Sequence, residues 1–155
     1  MNYYDLLNNL KKDFFHELID VDIYLKKTKI LGKTFMITLP FSKNIYYNEK
    51  IIKLCSKPAL KAVLIHELYH IVQFKEMNFF QKIIFLPRYH FLNRFRINHE
   101  LECHREVVKR GFGKELLELN RFVKERYSNK IWNNKISDYY LSDKEIKDLM
   151  KNLEQ

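Results

Sequence analysis

KAVLIHELYHIVQF, residues 61–74, is apolar nearly throughout, yet His66, Glu67 and His70 stand at its centre. Ser56 and Pro58 precede it, a hydroxyl suited to capping a helix and a proline placed where its missing N–H costs little. The pattern predicts a helix running to about Met77, apolar around most of its circumference and therefore central to the fold. Two imidazoles and a carboxylate inside such a helix are unfavourable by several kcal/mol unless something satisfies them.

Residues four apart on a helix lie one turn above each other on the same face. His66 and His70 are thus expected side by side, at a reach that suits a zinc ion with bonds of about 2.0 to 2.1 Å. Glu67 is displaced around the axis, able to hydrogen-bond a water on the metal without ligating it. Zinc lowers the pKa of its water toward about 7, and a carboxylate can take the proton. This is the H-E-x-x-H arrangement of zinc hydrolases, and it implies one zinc ion per chain with Glu67 as general base.

The 155 residues suit one domain with a real core, and only three glycines and three prolines favour a largely helical chain. Tyr3, Leu6, Leu7, Leu10, Phe14 and Leu18 fall at helical spacing, so a first helix is expected over residues 2–19. Residues 22–48, rich in Ile, Tyr, Thr and Phe and broken by Gly32 and Pro40, read as short antiparallel strands. Within them GKTFMITLP, residues 32–40, suits an exposed sheet edge to which an extended peptide could add. A turn near Pro87 is expected before a helix over about 92–110, which Gly111 and Gly113 would stop. A further helix is expected over about 114–127. SDKE, residues 142–145, is a capping box for a short terminal helix.

No secretory signal is legible at the N-terminus, and no apolar run approaches the roughly 18 residues of a membrane span. A soluble, cytoplasmic protein is the expectation. Cys55 and Cys103 form no CxxC pair and read as small core residues.

Two imidazoles leave a zinc ion short of a protein ligand. A third histidine of the HExxHxxGxxH kind is absent, because Gln73 and Glu76 occupy the relevant positions. Downstream candidates are His90, His99, Glu100, Glu102, His104 and Glu106. On the helix that holds most of them, Asn98, Glu102 and Glu106 share one face while Glu100 and His104 share another. Geometry alone leaves both acidic faces open.

With H-E-x-x-H followed by ELECHRE, residues 100–106, the chain resembles the gluzincin group of zinc metallopeptidases over roughly residues 45–110. Its size is similar to that of the single-domain minigluzincins. It is also similar to small predicted metallopeptidases reading HELxHxxQ, whose glutamine Gln73 matches. The resemblance implies an α+β, mostly helical zincin-like domain over residues 1–155, with a small antiparallel sheet beside the H-E-x-x-H helix. The core would span about 20–127 and a C-terminal extension about 128–155. It further implies a zinc metallopeptidase with Glu102 as third ligand and Glu106 as a carboxylate orienting a ligand histidine. Cys103 stands where these families have alanine, and Glu106 where aspartate is commoner. An oxyanion donor is also required, for which Tyr89, His90, Tyr139 and Tyr140 are candidates.

The formal charge of +9 invites an anionic partner, nucleic acid or membrane. Lys82, Arg88, Arg94 and Arg96 concentrate it, interleaved with aromatic residues and without an acid over 81–96. Two alternatives to a plain peptidase follow. One resembles the SprT-like nucleic-acid-associated proteases, with His90, His99 or His104 as third ligand. The other is a latent metalloprotein whose tail, residues 137–155, fills its own cleft.

Overall fold

In the computed structural model, which describes residues 2–29, 31–32, 34–126 and 137–155, the stretch 61–74 lies in helix α3, Lys57–Glu76. The Ser56 side chain accepts from the Ala59 N–H at 3.3 Å, and Pro58 falls in the first turn. From Ala59 to Phe74 every residue but Lys61 and Tyr69 is buried. No water-facing stripe remains, which identifies a helix enclosed by its neighbours.

Those neighbours are α1 (Tyr3–Phe14), α5 (Asn93–Lys109), α6 (Gly113–Arg126) and a small sheet. Leu7, Leu60, Leu64, Leu68, Val107, Leu116 and Val123 belong to one continuous apolar cluster. The sheet comprises β1 (Tyr24–Lys27), β2 (Met36–Thr38) and β3 (Asn44–Tyr47) in the order β1-β3-β2. It is mixed rather than antiparallel. β2 and β3 form an antiparallel hairpin with Thr38 opposite Ile45, whereas β1 runs parallel to β3 with Tyr24 opposite Asn44. The chain leaving β1 reverses before β2, so the hairpin returns β3 between the two. β2, as expected for residues 32–40, is an edge strand lying against α3.

A short helix, α2 (Glu49–Ile52), follows β3. Helix α4 spans Phe79–Phe91 with Pro87 inside it, where a turn was expected. The breaks fall instead at Asn78, which makes a reciprocal capping box with Gln81, and at Leu92. Pro87 sits on the exposed side of α4, so its ring displaces nothing in the core.

Gly111 ends α5 with φ of 88°. Its N–H donates to Val108 O at 2.9 Å, and the Phe112 N–H donates to Val107 O at 3.1 Å. This paired closure needs a left-handed residue. After α6, a 3₁₀ turn (Ser137–Tyr139) leads to α7 (Asp143–Leu153), whose Ser142–Glu145 capping box is present as expected. Leu141 and Ile146 plug the same core. The expected boundary at 127–128 lies outside the described residues, as does the last residue of the helix expected over 114–127. No described helix is long and apolar enough to cross a membrane.

Candidate metal centre

α3 brings His66 and His70 together, their Nε2 atoms 3.0 Å apart. Across from them α5 presents Glu100, with Oε2 3.1 Å from His66 Nε2 and Oε1 3.7 Å from His70 Nε2. Two imidazole nitrogens and a carboxylate oxygen thus converge on one point.

Glu102 does not join them. It accepts from Gln73 Nε2 at 3.1 Å and from the Tyr69 hydroxyl at 3.4 Å. Cys103 is the α5 residue set directly against α3, buried between His70 and Gln73. At about 100° per residue, Glu100 projects to one side of Cys103 and Glu102 and Glu106 to the other. Glu106 is bound to Arg110 at 3.1 Å and lies near Lys109, away from both histidines. The orienting contact to a histidine comes from Gln73 instead. Its Oε1 is 3.2 Å from His70 Nδ1. An amide oxygen only accepts, so this bond holds the proton on Nδ1 and leaves the Nε2 lone pair facing His66 and Glu100. Glu102 in turn anchors Gln73.

The electrostatics fit a missing positive charge. Burial opposes charge on His66, but the hydrogen bond and charge of Glu100 outweigh it and raise its pKa. Burial pushes His70 down to about 3. Glu100 is held well below the usual carboxylate range because its contacts with the two histidines overcome its burial. A divalent cation takes neutral imidazoles and an ionised carboxylate as ligands, so binding there would displace any proton held between His66 and Glu100. His66 Nδ1 is buried without a hydrogen-bond partner.

A buried His66–His70–Cys103 group, its donor atoms within 4.8 Å of one another, could hold a metal ion. Cys103 and Glu100 thus compete as the third donor. Ligation needs the thiolate, and burial, with nearby carboxylates, pushes the Cys103 thiol well up. Glu100 is the donor already ionised.

Glu67 is 5 % exposed and accepts from the Thr38 hydroxyl of β2 at 2.9 Å. Burial lifts its carboxyl to about 7, against the opposing pull of His66 and Thr38. It lines a cleft of about 650 Å³ with His66, Glu100, Tyr89 and Arg96.

The other candidates separate. Tyr89 lines the cleft and donates to Glu100 Oε1. Tyr139 lines it too, donating to Asn93 Oδ1 at 2.7 Å while Arg96 donates to its oxygen. Tyr140 packs its ring 4.8 Å from His104. His90 is exposed and meets the Phe91 ring edge-on at 4.8 Å. His104 accepts from the Leu141 N–H on Nδ1 at 3.3 Å, so its neutral ring carries the proton on Nε2 and has no free lone pair. His99 lies among Phe85, Phe95 and His70. Arg96, expected on an outer basic surface, faces the cleft instead. Thr38 was not singled out by the sequence, because nothing local ties a strand hydroxyl to a distant glutamate.

Compared with family models, curated proteins and solved structures, the chain matches none of them.

Proposed function

We propose that the protein is a zinc-dependent metallopeptidase in which His66, His70 and Glu100 hold the ion. The supporting observation is the convergence of two imidazole nitrogens, 3.0 Å apart, on an ionised carboxylate at 3.1 Å, beside a buried glutamate in a cleft. Bound there, zinc would supply Lewis acidity and a water acidic enough to lose its proton near neutral pH.

The chain's own groups do the rest. Glu67 Oε accepts the water proton and later delivers it to the leaving amine. Thr38 orients that carboxylate from the β2 side, and Gln73 fixes the His70 tautomer. Arg96 is a cleft group with N–H donors for a developing oxyanion, while Tyr89 and Tyr139 would first have to turn their hydroxyls from Glu100 and Asn93. A peptide added along the free edge of β2 would pass Glu67.

Glu67→Gln keeps the shape and the ligands but removes the proton acceptor. The expected outcome is unchanged zinc content and peptide hydrolysis reduced by at least about 100-fold. Hydrolysis at the wild-type rate rules the mechanism out.

A second reading, latency, has one specific support. Asp138, Tyr139 and Tyr140 line the cleft, and Tyr139 is bonded to Asn93 and Arg96 across it. Deleting the tail is the wrong test, since Leu141 and Ile146 belong to the core. Tyr139→Ala opens the cleft without touching them and should raise activity under this reading. The third-histidine alternative is less well supported, because the His104 lone pair is used, His90 is exposed, and the His99 ring is stacked between His70 and Phe95.

A further inference from the structure

Helix α4 is apolar on the wrong side for a water-exposed protein. Phe85 is its fully buried residue, and Tyr89 is the side chain it sends into the cleft. Set out at about 100° per residue, these two mark the side packed on α5. The opposite side carries Leu86, Phe79, Ile83, Pro87, Phe80, Phe91 and Ile84 in one arc of about 160°, with His90 the one polar residue among them. Phe79, Phe80 and Phe91 are 64 %, 74 % and 78 % exposed. The arc extends beyond the helix, because Phe41 of the β2–β3 turn packs edge-on against Phe79 at 5.9 Å and is itself exposed. A patch of this width and aromatic content marks a contact surface.

Charge identifies the occupant. Lys82 and Arg88 stand at the two margins of the apolar arc, and Arg94 follows directly on α5. From residue 77 to residue 99 the chain has no acid at all. A second copy of this face would set cation against cation, and a nucleic acid would leave the phenylalanines uncovered. A bilayer with anionic headgroups covers both parts: aromatic rings in the interface, flexible basic side chains reaching back to phosphate. At about 20 Å, α4 is too short for a core of about 30 Å, so it lies on the surface rather than crossing.

We infer that the outer face of α4, with the tip carrying Phe41, docks the protein on anionic lipid membranes. This goes beyond the reading of the cleft and does not depend on it. Docking sets the cleft close to the bilayer, since Tyr89 of the same helix lines it.

The test is co-sedimentation of the full chain with phosphatidylcholine–phosphatidylserine vesicles and with pure phosphatidylcholine vesicles. Binding to the mixed vesicles is expected to be the stronger and to fall with added salt. The double variant Phe80→Ser, Phe91→Ser should lose affinity by about ten-fold or more. Lys82→Gln with Arg88→Gln should erase the preference for phosphatidylserine. Both pairs lie outside the core, so an unchanged melting temperature keeps a loss of binding interpretable. Variants that bind as wild type overturn the inference. So does a protein that ignores vesicles but forms dimers dissociated by the phenylalanine substitutions, or one that ignores vesicles and binds DNA.

Discussion

Glu100 and Glu102 are two residues apart on α5, about 200° around its axis, and that interval decides which carboxylate meets the histidines. The pairing of His66, Glu67 and His70 follows from helical periodicity and was legible in the sequence. The carboxylate that faces them was not. Glu100 stood among the candidates, but nothing local fixes the rotation of one helix against another. The small residue Cys103, which drew attention to Glu102, turns out to mark the line of closest approach to α3. Gln73 shows the same gap: its position resembled a family pattern, but its role needed the contacts on both sides, His70 at 3.2 Å and Glu102 at 3.1 Å. Removing that link should let the His70 ring turn. Gln73→Ala is expected to weaken zinc binding by about 10- to 100-fold, measured by competition with a chromophoric chelator, while leaving the fold intact. Unaltered affinity would leave Gln73 a packing residue.

At the scale of elements, caps were the reliable signal. Ser56, the Ser142–Glu145 box and Gly111 all mark ends where the sequence expected them. Pro87 misled, because a proline on the exposed side of a helix costs one backbone bond and no packing. The parallel pairing of β1 with β3 was illegible for a different reason. Strand order depends on where a connection crosses, and residues 28–35 carry no marker of that. The end of α5 offers a direct check. Gly111 holds φ of 88°, and a methyl group added there would meet nothing within 4 Å, so Gly111→Ala brings backbone strain without a clash. A loss of about 1 kcal/mol is expected on denaturant titration. A larger loss would point to a contact at this corner that the open space does not suggest.

The whole molecule is built around an interior that is unusually rich in ionisable groups. Burial holds His70, His99 and His104 neutral, at about 3, 4 and 3. Their folded pKa values lie below the ordinary 6.5, so the stability they contribute is present above that pH and is lost as pH falls. His66 and Glu67 are shifted the other way and gain on acidification. Among these buried groups, between about pH 6.5 and 4.5 the unfolded chain takes up protons on His66, His70, His99 and His104, the native chain on His66 and Glu67. The unfolded state therefore binds more protons, and chelator-treated protein should lose melting temperature steadily across that window. A flat profile would mean that the histidines are not held neutral. Metal bound to the native chain adds stability by mass action, about 2.7 kcal/mol at a hundred-fold excess over Kd.

Metal content is the most direct measurement of whether these converging donors form a site. Wild type, Glu100→Ala and Glu102→Ala would be dialysed against limiting zinc and analysed by mass spectrometry for bound metal. About one zinc per chain is predicted for wild type and for Glu102→Ala, with the Glu100→Ala protein nearly empty. An empty wild type, or a Glu100→Ala protein that fills while Glu102→Ala does not, would contradict the account.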